Sequence, residues 1–262
     1  MMNRILRAAL LTLFFIGGVS RLNAQQVYNE SGGLVIMEME NTESSLNNWD
    51  EKTNLSGYTG SGFLQFDANA YTHGPADSPL EFYFKINEAG LYYLHMRCAK
   101  QTIDGRSDVA NDAYVRVEGD YSAGPAPWDS HGDNASLSLL QQDTKYFGGR
   151  ADAWKWENGK DSSGSAGNLD PGGESNKRVA LYDFKAGETY KLVVSGRSRY
   201  FRIDRLMFRK STVTESYAEN LSRPESDTIS GGETYTYDAT TDFPNITAGE
   251  VPYYKHTAEN AL

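Results

Sequence analysis

Residues 80–99 read LEFYFKINEAGLYYLHMRCA, and their pattern decides the fold class. On both sides of residues 87–90, apolar side chains alternate with polar or half-polar ones, whereas NEAG itself breaks the alternation. A period of two residues is that of a β-strand with one buried and one wet face. The stretch therefore predicts two neighbouring strands of a sheet.

The same alternation returns along the chain, between residues 35 and 210. In-phase apolar positions include Ala113, Val115 and Val117, and later Tyr190, Leu192 and Val194. Strands of roughly five to eight residues are separated by Gly, Asn, Asp and Ser, and no stretch has a convincing helical period. This pattern predicts an all-β fold, an antiparallel β-sandwich.

The first 24 residues have the pattern of a secretory signal peptide. Arg4 and Arg7 precede an apolar run over residues 8–16, and small residues lead to Ala24. The run is far shorter than the roughly 20 residues that cross a bilayer. We expect residues 1–24 to be removed and the protein to be secreted or periplasmic, as with a bacterial signal peptide.

Charge and cysteine content exclude several classes of protein. The net charge is −10, which argues against a general binder of nucleic acid or of anionic membranes. Cys98 is the one cysteine, so an intramolecular disulfide and a cysteine-based zinc site are excluded. It is in phase with Leu94 and Met96, which predicts a buried thiol.

The composition changes after Lys210. Residues 211–262 are acidic and poor in aliphatic side chains, which predicts a linker. The last residues, FPNITAGEVPYYKHTAENAL over 243–262, read as the first strand of a further module. The predicted organisation is a signal peptide over 1–24, a β-sandwich over 25–210 and an acidic linker over 211–262. A polar insertion over residues 143–177 lies inside the sandwich, with its tryptophan end expected to be ordered.

Two carboxylates in the first strand are candidate ligands. Alternation places Glu38 and Glu40 on one face, about 7 Å apart, with Met37 and Met39 on the other. Like charges at that separation repel, and a hard cation, an arginine or water would satisfy them. A glycine-rich turn with Tyr58 follows.

The order of several motifs resembles carbohydrate-binding modules of families 6 and 35. The resemblance covers roughly residues 33–210. The motifs are EME, GYTGSGFLQF, LEFYFKINEAGLYYLHMRCA, AWKW, FKAGETYKLVVSGR and FRIDRLMF. It implies a galactose-binding-like jelly-roll sandwich that binds a polysaccharide or oligosaccharide without catalysis. It also implies an attached or associated catalytic module, such as a glycoside hydrolase.

The resemblance also implies a structural calcium, with Glu38, Glu40 and Asp204 as ligands. Asp204 is in phase with Leu206 and Phe208, so it is expected to point toward apolar neighbours and to need a partner. The alternative is that Asp204 pairs with an arginine while both glutamates face solvent.

The resemblance further implies an aromatic platform for a sugar ring, formed by Tyr58 and by Trp154 or Trp156. A strand over residues 154–156 would place both indoles on one face. The alternative is that one tryptophan is a core residue.

A cationic run departs from the family pattern, because Arg202 stands where relatives commonly have asparagine. Its neighbours are Arg197, Arg199, Tyr200 and Arg205. An arginine fork beside Tyr200 would bind a carboxylate or sulfate, so an acidic or sulfated glycan is one expectation. The alternative is that these arginines stack on aromatic rings or pair with acids of the protein itself.

An enzyme remains an alternative to a binding module. Glu38 and Glu40 are neighbours on one strand and cannot flank a glycosidic bond as acid and base. A β-sandwich polysaccharide lyase would need His131 or His95 in one groove with Arg202 and a tyrosine. A third class is an adhesion or scaffold module that binds protein through a flat apolar patch.

Overall fold

The computed structural model describes residues 25–125, 134–157, 168–170 and 178–231. Within these ranges the chain is built almost entirely of β-strands. The strands are β1 (Gln25–Asn29), β2 (Leu34–Glu38), β3 (Trp49–Lys52), β4 (Phe63–Phe66), β5 (Asp77–Lys85), β6 (Gly90–Lys100), β7 (Asp112–Glu118), β8 (Ser122–Ala123), β9 (Thr144–Phe147), β10 (Arg150–Ala151), β11 (Lys155–Glu157), β12 (Asn168–Asp170), β13 (Arg178–Val179), β14 (Leu181–Phe184), β15 (Thr189–Gly196), β16 (Arg202–Lys210) and β17 (Thr228–Gly231). Two short α-helices, α1 (Leu137–Gln141) and α2 (Glu215–Ala218), and a 3-10 turn over Met39–Asn41 complete the described elements.

The strands form two sheets. Sheet A has the order β13-β12-β9-β7-β15-β5-β1-β17, and sheet B has the order β3-β4-β16-β6-β14-β8. In sheet B, β2 also pairs with β16, while β10 and β11 pair with β6. Pairing is antiparallel except between β1 and β5 and between β10 and β6. The predicted all-β sandwich is confirmed.

Apolar side chains from the two sheets form one core between them. The alternating positions of β5 and β6 supply Phe82, Phe84, Leu94 and Met96 to this core. Phe84 stacks on Phe208 with ring centroids 4.4 Å apart, and close aromatic pairs of this kind gain more than burial alone. The two-residue period read from the sequence therefore matches the burial pattern of the strands.

Cys98 belongs to the same core and is fully buried, as predicted. Burial raises the pKa of its thiol well above the ordinary value, because the charged thiolate would lose its hydration. A thiol in this state is a small apolar side chain rather than a nucleophile.

A register shift in β16 places the Asp204 side chain on the outer face of sheet B. The pairing of β16 with β6 shifts between Ile203 and Arg205. Ile203 and Leu206 enter the core, whereas Asp204 is bonded to Arg97 on the opposite, outer face of sheet B. The prediction that Asp204 shares the phase of Leu206 is therefore wrong, because the extra residue of a bulge interrupts the alternation.

The chain after β16 continues the folded domain. Residues 213–227, which we call the clasp, cross the outer face of sheet B, where the Ser226 backbone N–H donates to Ile36 O at 2.9 Å. Strand β17 then pairs with β1 as the last strand of sheet A. The sequence predicts a linker from residue 211, whereas in the structure the domain continues through Gly231. The predicted signal peptide over 1–24, residues 232–262, and residues 158–167 and 171–177 of the polar insertion lie outside the described residues.

Sequence alone missed this extension because the clasp is held mainly by polar bonds rather than by a long apolar stripe. Its apolar contribution is small: Val213 and Ala218 pack on Leu34, Ile36 and Met207. Among the described residues, no helix has the length and apolar character needed to cross a membrane.

Two leucines test where the core lies. Leu192 is fully buried in the core, whereas Leu137 begins α1 and is 37% exposed. We expect Leu192→Ala to lower the free energy of unfolding by about 2–5 kcal/mol, because it removes buried methyl groups and leaves a cavity. Leu137→Ala removes the same atoms from the surface and should cost less than about 0.5 kcal/mol. Urea unfolding measures both, and equal losses would contradict the assigned core.

Candidate functional site

An aromatic surface lies on the outer face of sheet B, where the loop before β4 meets the segment before β11. Its base is Phe63, the first residue of β4, which is fully buried although its neighbour Leu64 fills the core on the other side. Tyr58 covers Phe63 with ring centroids 6.1 Å apart, and Trp154 covers it edge-on at 5.0 Å. Tyr58 and Trp154 are both half-buried. The structure thus brings these two predicted platform residues together.

Arg97 of β6 supports both halves of this surface. Its guanidinium lies 5.4 Å from the centre of the Trp154 ring, within the range of a cation–π contact. Its Nη2 donates to Gly57 O at 2.8 Å, next to Tyr58, and its Nη1 is bonded to Asp204. The Trp154 indole N–H donates to Ser56 O at 3.1 Å. Arg97 therefore holds both the turn around Gly57 and the Trp154 indole, and the turn and the indole also bind each other.

Asp204, the partner of Arg97, also binds the turn after Tyr58. Its Oδ1 accepts from the Thr59 backbone N–H at 2.9 Å, and its Oδ2 accepts from Thr59 Oγ1 at 3.1 Å. Burial raises the pKa of Asp204, while Arg97 and the Thr59 amide act against that rise by stabilising the charged form. Asp204 is fully buried, so each of these bonds compensates lost hydration.

The other two predicted calcium ligands bind the same turn. Glu38 Oε2 lies 2.8 Å from Thr59 Oγ1, so Glu38 and Asp204 are alternative acceptors of the one hydroxyl proton, and Glu38 forms an ion pair with Arg205. Glu40 Oε1 accepts from the backbone N–H of Ser61 at 2.7 Å and of Gly62 at 3.3 Å. Residues 59–62 therefore join Glu38 and Glu40 to Asp204, which lies far from them in sequence.

Glu40 has an incompletely satisfied carboxyl group. Its Oε2 is buried and has no hydrogen-bond partner among the described residues. Burial raises the pKa of Glu40 to about 7, and the nearby Glu38 adds to the rise, while the amides of Ser61 and Gly62 oppose it. Gly60 lies against this group, where a Cβ would overlap the Glu40 carboxylate. A proton or a cation would complete the bonding of Glu40.

The fit of this cluster to a calcium ion is partial. Carboxylate oxygens are the ligands that Ca²⁺ prefers, and the Glu40 Oε2 atom needs a partner. Arg97 and Arg205, however, already pair with Asp204 and Glu38. In the described part of the chain, no group of three or more His, Cys, Asp or Glu side chains is placed to hold a metal ion.

The remaining predicted aromatic residues have other partners. Trp156, on the same outer face, packs edge-on against His95 at 6.3 Å and belongs to a separate apolar cluster. Tyr200 is in a turn with φ +71° before β16, and the Arg199 guanidinium lies 6.0 Å from its ring. Of the predicted aromatic residues, Trp154 is the one that joins Tyr58.

Arg202 is bonded to other side chains of the protein. Its Nε donates to Gln65 Oε1 and its Nη2 to Gln101 Oε1, both at 2.9 Å, and Asp152 lies 3.4 Å from Nη1. Arg202 is 7% exposed. These contacts follow the alternative in which arginines pair within the protein.

Other arginines of the cationic run are paired in the same manner. Arg197 forms an ion pair with Asp112 at 2.5 Å, and Arg205 pairs with Glu38. His95, one of the two histidines that the lyase alternative required, is fully buried and bonded to Arg209. His131 lies outside the described residues.

The sequence analysis missed Arg97 and Phe63. A signal for Arg97 existed, because it shares the phase of Tyr93 and His95 and opposes the core residues Met96 and Cys98. A cation on that face of β6 could have been matched to the acids of neighbouring strands. Phe63 had no such signal, since alternation with Leu64 predicts an exposed ring.

Comparison with known proteins gives structural similarities alone. No family model matches the chain, and no curated protein matches it significantly. Solved structures similar to it include family 35 carbohydrate-binding modules. The module from Clostridium thermocellum has a TM-score of 0.38 and 15% identity, over 68% of this chain and 98% of that one. The module of Cellvibrio japonicus Abf62 has a TM-score of 0.35 and 16% identity, over 69% and 96%.

A larger enzyme is also similar. The Podospora anserina GH26-CBM35 β-(1,4)-mannanase has a TM-score of 0.41 and 15% identity, and the match covers 70% of this chain. It covers only 28% of the mannanase chain, so this chain spans a small part of that enzyme's length.

Glu40 gives a prediction about pH. Its pKa in the folded state is about 7, above the ordinary 4.5, so the folded state binds this proton more tightly than the unfolded state does. The resulting stabilisation of the folded state is complete below pH 4.5 and is lost as pH rises through 7. Glu40→Gln cannot lose that proton. In chelator, we expect the variant to gain stability over wild type between about pH 5 and about pH 8.

Thermal unfolding at the two pH values measures this difference. Glu51→Gln is the matched control, because Glu51 is exposed. The assignment fails if wild type and Glu40→Gln show the same change with pH.

Proposed function

We propose that this chain is a non-catalytic carbohydrate-binding module whose site is the surface formed by Tyr58 and Trp154. The observation that carries the proposal is the pairing of two half-exposed rings on one rigid base, Phe63 and Arg97. A pyranose presents a C–H face that packs on aromatic rings, while its hydroxyl groups need donors and acceptors nearby. Rings that are fixed before binding lose little entropy when the sugar arrives.

Polar groups in the same segments can serve the hydroxyl groups of a sugar. Asp152 precedes Trp154 by two residues, and its side chain is 50% exposed. Gln101 is half-buried and shares the Arg202 guanidinium with Asp152. Carboxylate and amide groups accept and donate together, as vicinal hydroxyls require.

The arrangement of carboxylates supports binding rather than glycoside hydrolysis. Hydrolysis uses two carboxyl groups on opposite sides of the scissile bond. Glu38 is paired with Arg205, and Glu40 faces the amides of the adjacent turn, so both belong to the support below the rings. The lyase alternative retains His131 as its candidate base.

Calcium is a second part of the proposal. Glu40 would hold the ion through its unpartnered oxygen, with Glu38 and Asp204 beside it. Bound there, Ca²⁺ would supply positive charge to the acid cluster and join β2, the turn over 59–62 and β16. Arg97 and Arg205 would then share their carboxylate partners with the ion.

The proposal also covers the cellular location of the module and the charge of its ligand. The module would act after secretion, attached to or associated with a polysaccharide-degrading enzyme. An acidic or sulfated glycan would have to compete with Gln65, Gln101 and Asp152 for Arg202, whereas a neutral glycan needs the rings and hydrogen-bonding groups alone.

Removing either ring should weaken retention on polysaccharide. We expect Tyr58→Ala and Trp154→Ala each to lower affinity at least about tenfold, because each loses roughly half of the stacking surface. The measurement is binding to a panel of neutral, uronic and sulfated polysaccharides. Each sample is also tested for new reducing or unsaturated ends.

Tyr217→Ala is the matched control, because Tyr217 is 54% exposed and lies on the clasp, far along the chain from the platform. It should bind as wild type does. Wild-type binding by both platform variants would show that the site is elsewhere, and new ends would establish an enzyme.

The calcium proposal is tested by thermal unfolding in calcium and in chelator at about pH 8, where the Glu40 carboxyl group is charged. Wild type should unfold at a higher temperature in calcium, because the ion binds the folded state preferentially. Glu40→Gln should lose most of that gain. A melting temperature that calcium does not change would remove the ion from the proposal.

A further inference from the structure

Polar bonds attach the clasp, residues 213–227, to the outer face of sheet B. Arg209 of β16 donates from Nη1 to Val213 O at 2.6 Å and from Nη2 to Glu215 Oε1 at 3.1 Å. Arg205 donates to Arg223 O at 3.1 Å. Two buried arginines of β16 thus bind the first part of the clasp and Arg223, whereas Glu225 and Ser226 bond its end to Glu38 and Ile36 of β2.

A buried histidine sits between the strand and the clasp. His95 of β6 is fully buried, its Nε2 lies 2.9 Å from Arg209 Nε, and its Nδ1 lies 3.1 Å from Glu219 Oε1. Arg209 always carries a proton on Nε, so His95 Nε2 must accept. The single imidazole proton is then on Nδ1 and is donated to Glu219. The contacts therefore fix one neutral tautomer.

Protonation of this imidazole conflicts with its surroundings. A proton on Nε2 would point at the N–H of Arg209, which places donor against donor and charge against like charge. Arg209 is 2% exposed and is held on the Tyr93 ring at 4.7 Å, so it cannot turn away while the clasp is attached. The Trp156 ring approaches His95 edge-on at 6.3 Å and carries no charge to compensate.

The acids facing His95 reduce this conflict without removing it. Glu219 and Glu215 of the clasp favour a charged imidazole, whereas burial and Arg209 disfavour it. Burial is the largest effect, and the pKa of His95 is lowered. A histidine with a depressed pKa stabilises the folded arrangement above its ordinary pKa and loses that contribution as pH falls.

We propose that the first part of the clasp, residues 213–219, is a pH-released segment, attached while His95 is neutral and detached when His95 takes up a proton. Protonation requires Arg209 to leave His95, and Arg209 also binds Val213 and Glu215, so the same movement breaks the attachment. In the detached state the imidazole is hydrated and has its ordinary pKa. Each pH unit below about 6.5 then favours detachment up to about tenfold.

Hydrogen exchange on the full chain tests this inference. The reporters are the backbone N–H groups of Ala218 and Glu219, which are bonded within the first part of the clasp. We expect their protection factors, corrected for intrinsic rates, to fall about tenfold from about pH 7.5 to about pH 5.5. Amides of Val193 and Leu192 in the core strand β15 should keep theirs.

His95→Gln is the decisive variant, because glutamine can accept from Arg209 and donate to Glu219 but does not titrate. Its clasp should remain protected at both pH values. Unchanged protection in wild type overturns the proposal, and so does an equal fall in wild type and His95→Gln, since another group would then be titrating.

Two further measurements keep the test independent of how well that variant folds. Nitrogen NMR of wild type at about pH 7.5 should show a neutral His95 protonated on Nδ1, and an imidazolium or the other tautomer would contradict the proposal. Glu219→Gln should weaken the clasp at both pH values but keep its pH dependence. Loss of the dependence in that variant would assign the titration to Glu219 and overturn the role of His95.

Discussion

The buried pair of Arg97 and Asp204 is the interaction on which the candidate site depends. Arg97 meets the Trp154 ring and Gly57 O, while Asp204 binds the backbone and side chain of Thr59. Removing one partner of such a pair costs about 3–5 kcal/mol, because an unpaired charge is left without water. The pair itself adds little net stability. Its effect is to fix three segments of chain in one arrangement.

The outer face of sheet B is covered as thoroughly as an ordinary core, but by polar and charged contacts. The turn over 56–62, the segment around Trp154 and the clasp each cover part of it. Arg205 and Arg209 of β16 connect these coverings to the sheet, as Arg97 does from β6. Charged residues that look like a wet strand face in the sequence are therefore interior residues of a third layer. This layer allows half-exposed rings to be held rigidly.

The sequence predicted the main strands because burial on one face leaves a two-residue period, visible in β5, β6, β7 and β15. It also selected Tyr58 with Trp154 or Trp156 through the order of family motifs, and the structure brings Tyr58 and Trp154 together. It could not assign Asp204 to its face, because a bulge inserts a residue without changing composition. It could not foresee the clasp, whose attachment depends on arginines and acids far apart in the chain.

The sequence by itself determined the class of fold and the candidate aromatic residues, since both are properties of local periodicity and motif order. Tertiary structure decided the partners of each charge. Arg202 and Arg205 have the residue type of a ligand fork, but in the fold they bind Gln65 and Glu38. Residue type fixes the charge of a side chain, but the strands that become neighbours decide whether that charge is paired within the protein or available to a ligand. That pairing is set by long-range contacts, which a linear pattern does not encode.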